Sequence, residues 1–236
     1  MKKNFMFSMK AAMAAVVALF SLNACSDSDD GGSGDEIKLG LVDSVSLSSD
    51  EEDDDLTGSY QFVYDDQNRL LKGATYTLTY AENELTWKTS IVGPKKVTLG
   101  ANGKIVSDSN GNHYTYDSEG RLQLPGFTWE NGNLTDGVQE YTDIPYKGNL
   151  GTFIKFPMDT ALRIFGDYGY ASRCRNLLKC ACKVNRQGVR YVEYEYDYEL
   201  NQQGYVTRLS EKWYYEREHN PTDTRCRTRI VNIRWK

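Results

Sequence analysis

Most of this chain is built from variants of a single pattern, Tyr114-Thr115-Tyr116-Asp117-Ser118-Glu119-Gly120-Arg121-Leu122. Aromatic residues alternate with polar ones, a short turn of Asp, Glu and Gly follows, and a second run opens with Arg-Leu. Such alternation on both sides of a glycine turn predicts a β-hairpin. Variants of this unit recur along the chain, starting at Tyr64, Tyr80, Leu99, Trp129 and Tyr198. We therefore predict successive hairpins laid side by side as an antiparallel β-meander.

The composition supports this class. Hydrophobic residues make up 39% of the 236 residues, and 17 residues are tyrosines. That apolar share is below the ~45–50% of ordinary globular domains. Tyrosine rings can cover one face of a curved sheet while their hydroxyls reach water. We predict an all-β fold over residues 37–236, as a strongly curved or barrel-like sheet that does not cross a membrane.

One short helix interrupts the strands. Four apolar residues, Met158, Ala161, Leu162 and Phe165, have the spacing of a single helical stripe. Pro157 and Asp159 suit the start of the helix. Because so short a helix is unstable alone, it must dock on the sheet.

The net charge of −5 is unevenly distributed. Residues 26–55 hold twelve of the 33 acidic residues and a single basic one, Lys38, so the rest of the chain is nearly neutral. No basic stripe follows any predicted element. Nucleic acid is therefore not an expected partner.

Residues 1–24 have the features of an export signal, with a lysine-rich start and the apolar run 11–22. Leu22-Asn23-Ala24-Cys25 resembles the lipobox of bacterial lipoproteins, in which the cysteine is acylated. This resemblance implies lipidation at Cys25 and anchoring in the outer membrane through the lipid. An ordinary secretory signal is the alternative.

Residues 25–36 form an acidic, Gly/Ser-rich tether. Its Ser26–Asp30 cluster resembles the surface-export signal of lipoproteins in some Gram-negative lineages, which implies display on the cell surface. A tether that is merely solvated is the alternative.

Two further features lie near the first strand. Residues 50–55 are six consecutive acids, which we interpret as a solvated loop, since a calcium loop needs alternating ligands and a bend glycine. Asp43-Ser44-Val45 resembles the Asp-Ser/Thr-aliphatic O-glycosylation signal of some such bacteria. Ser44 is thus a candidate glycosylation site.

Two long strands, 190–198 and 205–217, have matching patterns. Pairing Tyr198 with Tyr205 places Tyr194 opposite Leu209. One face of this pair is then aromatic and the other carries opposite charges, as cross-strand pairing favours. In the last strand, Arg229 shares a face with core residues, which predicts either a bulge or a change of neighbouring strands near it.

The hairpin unit resembles the YD repeats of RHS-type proteins. The order of parts is similar to a bacterial lipoprotein family catalogued as a domain of unknown function with a porin-like fold. The likeness covers about residues 37–236 and implies an antiparallel meander without catalytic residues, although Leu178 stands where that family commonly has proline. It rests on the motifs Tyr60-Gln-Phe-Val-Tyr-Asp65, Tyr168-Gly169, Arg175-Asn176-Leu177, Tyr194-Glu-Tyr-Asp197 and Gly204-Tyr-Val206.

Four cysteines remain besides Cys25. Their spacing does not suit a zinc site, which usually shows a Cys-x₂₋₄-Cys pair. A disulfide between Cys180 and Cys182 is unfavourable, because residues i and i+2 of a strand point to the same side. We predict a disulfide from Cys226 to one of the other three, with free buried thiols as the alternative. The cysteines concerned are Cys174, Cys180, Cys182 and Cys226.

No catalytic, cofactor or metal site is predicted. The two histidines, His113 and His219, are far apart, and no hydrolase, zinc-protease or phosphate-loop motif occurs in residues 37–236. We predict a non-enzymatic surface module that binds a glycan or a partner protein. The alternatives are a glycoside hydrolase that uses carboxylates and a structural protein of the envelope.

Overall fold

The structure of the protein is a computed structural model that describes residues 40–50, 57–89, 93–156, 158 and 160–236. The predicted signal peptide, Cys25, the tether and acids 51–55 lie outside these residues. The elements are β1 Val42–Ser49, β2 Gly58–Gln61, β3 Val63–Tyr64, β4 Leu70–Lys72, β5 Tyr76–Tyr80, β6 Glu84–Thr89, β7 Lys95–Leu99, β8 Ile105–Asp108, β9 Thr115–Tyr116, β10 Leu122–Gln123, β11 Thr128–Glu130, β12 Asn133–Thr135, β13 Glu140–Pro145, α1 Thr160–Gly166, β14 Asn176–Val184, β15 Arg190–Leu200, β16 Val206–Trp213 and β17 Arg227–Trp235.

Two large antiparallel sheets dominate the described residues. A six-stranded sheet runs in chain order from β3 to β8, and a seven-stranded sheet has the order β13-β14-β15-β16-β17-β1-β2. The hairpins β9–β10 and β11–β12 form two small sheets. The predicted all-β class with one short helix is therefore confirmed, but neither large sheet closes on itself. Among the described residues, no helix has the length and apolar character needed to span a membrane.

Several of the hairpins share one type of turn. Asp117 Oδ1 accepts hydrogen bonds from the backbone N–H groups of Glu119 (3.0 Å) and Arg121 (2.8 Å). Gly120 has a φ of 73°, which glycine adopts at little cost. The same two-bond pattern recurs at Asp65, Asp108, Asn185 and Asn201. The repeat in the sequence is thus a repeat of side-chain-capped turns.

The helix docks as predicted, over Thr160–Gly166. Met158 precedes it, and the predicted start residues Pro157 and Asp159 lie outside the described residues. Ala161, Leu162 and Phe165 of α1 are buried in the core. Gly151 lies against the helix so closely that an added Cβ would be 2.5 Å from the carbonyl oxygen of Arg163. Only glycine permits this approach of loop and helix.

The predicted register of β15 and β16 is wrong by four residues. Tyr198 pairs with Leu209, and Tyr194 pairs with Trp213. The Asn201 side chain accepts hydrogen bonds from the backbone N–H groups of Gln203 and Tyr205, so the turn closes later than expected. Because the error is an even number of residues, the predicted aromatic and charged faces are preserved.

The sequence predicted either a bulge or a change of neighbouring strands near Arg229 of the last strand, and the structure shows the change of neighbours. The register of β17 against β16 is unbroken from Arg227 to Asn232, so no bulge occurs at Arg229. The neighbouring strand changes instead, since β1 ends at Ser49, opposite Arg229. The packed face of β17 changes there from aliphatic residues to an ion pair between Arg229 and Glu211.

Candidate functional site

A cleft of about 730 Å³ lies against strands β14 and β15. Its other walls are α1 with the segment before it and three loops at 112–114, 123–127 and 136–139. Both apolar and charged side chains line it, which suits a ligand that has both apolar faces and polar groups. Its lining includes the side chains of Lys155, Phe156, Lys183, Glu193 and Tyr194.

A row of three aromatic rings extends from the cleft. The Tyr194 ring lines the cleft and stacks on Trp213, with centroids 6.3 Å apart and planes 13° apart. Trp213 in turn meets Tyr215 edge-on at 5.9 Å. Tyr215 is 38% exposed, and the other two rings are half-buried. The row therefore presents ring surface to solvent beside a concave site.

Cations flank this row. The Lys155 Nζ lies 5.9 Å from the centre of the Tyr194 ring. The Arg227 guanidinium carbon lies 5.3 Å from the centre of the Trp213 ring and 5.1 Å from that of Tyr215. Burial lowers the pKa of Lys155, while the nearby Glu211 carboxylate raises it. These cations add polar contacts and positive charge next to the exposed rings.

A buried polar network positions the cleft wall on the sheet. The hydroxyl of Tyr196 donates to Glu211 Oε2 (2.9 Å), and Arg229 Nη2 lies 3.0 Å from Glu211 Oε1. The backbone N–H of Lys155 donates to the same tyrosine oxygen (2.9 Å). The Glu211 and Arg229 side chains are only 8% and 12% exposed. The segment that carries Lys155 and Phe156 is thus tied to β15 and β16.

The buried carboxylates do not lie in the cleft. Neither Asp167 nor Glu211 lines this cleft or the smaller one beside β6 to β8. Burial raises the pKa of Asp167 to about 7, although the Tyr146 hydroxyl and the Gly151 N–H donate to its oxygens. Asp167 therefore links the helix end to the neighbouring loop. Among the described residues, no group of three or more His, Cys, Asp or Glu side chains is arranged to hold a metal ion.

The structure has the cysteines in the second of the two predicted states, as free thiols rather than a disulfide to Cys226. Cys174, Cys180, Cys182 and Cys226 are all free thiols. The close pair is instead Cys180 and Cys182, whose Sγ atoms are 3.2 Å apart. This contact has a local cause. Strand alternation places Cys180 and Cys182 on the same face, and the pairing of β14 is irregular beside them, with a β14–β15 register shift between Ala181 and Cys182.

Ser44, the candidate glycosylation site, does not line the cleft, whereas His113, for which no role was predicted, does. Ser44 is half-buried in the middle of β1, between β17 and β2. Glu211 escaped the sequence analysis, although its odd number places it on the same face as Leu209 and Trp213. A charged residue on the same strand face as core residues could have indicated the buried polar network from the sequence.

Comparison with known proteins shows the fold. Neither a protein-family model nor a curated protein matches the chain. A porin-like protein from Bacteroides vulgatus ATCC 8482, solved at 2.80 Å, superimposes with a TM-score of 0.58 at 14% identity, covering 84% of this chain and 99% of its own. A porin-like protein from Bacteroides uniformis ATCC 8492 covers 83% and 98% at 14% identity, with a TM-score of 0.48. The first likeness confirms the expected porin-like fold; membership in the lipoprotein family stays a prediction.

Proposed function

We propose that this protein is a non-enzymatic module that binds a glycan in the cleft and along the aromatic row. The observation that carries the proposal is the row Tyr194–Trp213–Tyr215, which continues from a wall of the cleft to the solvent. Sugar rings present apolar C–H faces that pack on aromatic rings, and their hydroxyls need polar partners at the edges. An extended row of rings beside a cleft matches a chain of sugar units.

The charges beside the row favour a glycan that carries acidic groups. Lys155 and Arg227 lie over the rings themselves. The nearby Lys183 is neutralised by Glu193, whose Oε1 is 2.7 Å from its Nζ. Two cations therefore lie beside the ring faces of the row. Uronate or sulfate groups on alternate sugars would find cations there.

A glycan array probed with the full-length protein in detergent tests the proposal. We expect binding to acidic polysaccharide fragments and weaker binding to neutral ones. Replacement of Trp213 or Tyr215 by Ala should weaken binding about tenfold, as the loss of roughly 1.4 kcal/mol of ring contact requires. The matched control is Tyr205→Ala, because Tyr205 also pairs with a tryptophan, Trp235, and lies under a lysine, Lys147.

Three results would contradict the proposal. Equal loss of binding in the Tyr205→Ala control would show that the row acts only through stability. No binding on the array, together with cleavage of a polysaccharide, would favour the hydrolase. Neither binding nor cleavage would favour a structural role in the envelope.

We further propose that the module is held at the outer surface of the cell by a lipid on Cys25. The support is the lipobox-like Leu22–Cys25 and the acidic cluster Ser26–Asp30. In detergent phase partitioning, Cys25→Ala should move the protein from the detergent phase to water. Protease added to intact cells should remove the wild-type protein, while replacement of the cluster's three aspartates by Ala should protect it. A wild-type protein that is already protected would contradict surface display.

A further inference from the structure

Cys180 and Cys182 form a close thiol pair on β14. Their Sγ atoms are 3.2 Å apart, in hydrogen-bond contact. The β14–β15 register shifts between Ala181 and Cys182, because β15 has the extra residue Glu193. The pairing with β13 on the other side shifts beside Cys180 as well. Strand irregularities on both flanks thus coincide with the sulfur pair.

A cation is fixed on one of the two sulfurs. Arg190 Nη2 lies 3.2 Å from Cys182 Sγ, and it also donates to Glu140 Oε1 (2.6 Å) and to the Val138 carbonyl (2.9 Å). The hydrogen bond from Cys180 lowers the pKa of the Cys182 thiol, and Arg190 lowers it further. The pKa of Cys180 is raised, chiefly by the same hydrogen bond. The two thiols are therefore unequal, as a nucleophile and a resolving thiol must be.

We propose that Cys180 and Cys182 are a thiol–disulfide exchange site that reduces a low-molecular-weight disulfide. The Cys182 thiolate attacks one sulfur of the substrate RS–SR, which forms a mixed disulfide and releases RS⁻. Cys180 then loses its proton to that thiolate and attacks the Cys182 sulfur. This forms the Cys180–Cys182 bond and releases the second RS⁻, which takes a proton from water. The substrate gains two electrons, and the protein pair loses them.

The geometry suits a reversible reaction. A bond between residues i and i+2 closes a very small ring, so chain entropy stabilises it little and strain makes it easy to reduce. The two cysteines are 5% and 2% exposed, but the Arg190 and Glu140 side chains beside them are 46% and 42% exposed. Cys182 also lines the cleft of about 730 Å³, through which a small disulfide can approach it.

The test uses the full-length chain with Cys25 and Cys226 replaced by Ser, exposed to 2-hydroxyethyl disulfide under native conditions. Mass spectrometry should show the loss of two hydrogens and an internal disulfide in the peptide that contains residues 180–182. Cys180→Ser should instead keep a single stable adduct on Cys182. The buried Cys174 serves as the internal control and should stay unmodified.

Arg190 is a positioning residue for this reaction. Arg190→Gln should slow the first step about 3- to 10-fold at pH 7 and move the pH–rate profile to higher pH, since fewer Cys182 thiols are ionised. The matched control is Lys179→Gln, which removes the other cation on Glu140. Arg190→Lys, which keeps the charge, should restore part of the rate.

Two outcomes would overturn the proposal. The first is reaction only after addition of urea, which would show that the thiols are inert and buried. The second is an adduct that accumulates on Cys182 in the chain that still has Cys180, because a resolving thiol at 3.2 Å should displace it. An unchanged pH–rate profile in Arg190→Gln would refute the part assigned to Arg190.

Discussion

Loss of one partner of the buried Glu211–Arg229 pair should destabilise the protein strongly. The two side chains are 3.0 Å apart and only 8% and 12% exposed. At 3.0 Å and an effective dielectric constant of ~20, their attraction is about 5 kcal/mol before desolvation is subtracted. Glu211→Gln leaves the Arg229 charge buried, so we expect a loss of about 3–5 kcal/mol. Arg229→Met should cost a similar amount, because it leaves the carboxylate unpaired.

The double variant distinguishes this explanation from simple loss of contacts. Glu211→Leu combined with Arg229→Met removes both charges and should be more stable than either single variant. The assay is urea unfolding followed by tryptophan fluorescence. If the free energy of unfolding falls by ~2 kcal/mol per M urea, each single variant should lower the urea concentration at the unfolding midpoint by roughly 1.5–2.5 M. Single-variant losses below about 1 kcal/mol that simply add in the double variant would refute the reasoning, since exposed pairs behave in that way.

Three further predictions concern single positions. Gly151→Ala should cost about 1–3 kcal/mol in thermal unfolding through overpacking against the Arg163 carbonyl, whereas the control Gly93→Ala, with no atom within 4 Å, should cost little. The backbone hydrogen bond from Arg121 lowers the pKa of Asp117 below 3.8. The stability that this turn contributes is therefore present above pH 3.8 and is lost as the pH falls further. Asp117→Asn should reduce this loss of stability at acid pH. Burial raises the pKa of Asp167 to about 7, so the unfolding temperature should fall as the pH rises from about 4 to 7, and Asp167→Asn should remove this slope. A slope that persists in either variant would assign the pH dependence to other groups.

The sequence was sufficient for the local structure. Five of the turns are made by a side chain that caps the backbone N–H groups two and four residues later, as at Asp117 and Asn201. Such interactions lie within five residues, so the residue order alone predicts them. The helix was predictable for the same reason, since its apolar stripe spans only two turns.

Alternation also predicted which face of each long strand is packed, but it left the pairing open. Sliding one strand past its neighbour by an even number of residues leaves the same side chains on each face, so alternation cannot choose between such registers. The turn at Asn201 selects the register in which Tyr198 lies opposite Leu209. Sequence order likewise gave no sign that β1 inserts between β17 and β2. The pairing of β1 with β17 joins residues almost two hundred positions apart in the sequence, and so distant a pairing depends on how the whole sheet packs.

The candidate sites were decided by the tertiary structure. The cleft exists because the connections between β8 and β9, β10 and β11, and β12 and β13 meet β14 and β15. The thiol pair was judged unfavourable from its spacing, yet irregular pairing on both sides of β14 places the two sulfurs in contact. Local patterns specify turns and faces because those interactions are short in sequence. Cavities, buried ion pairs and bulges depend on how distant strands fit together, and that fit is settled only by packing the whole chain.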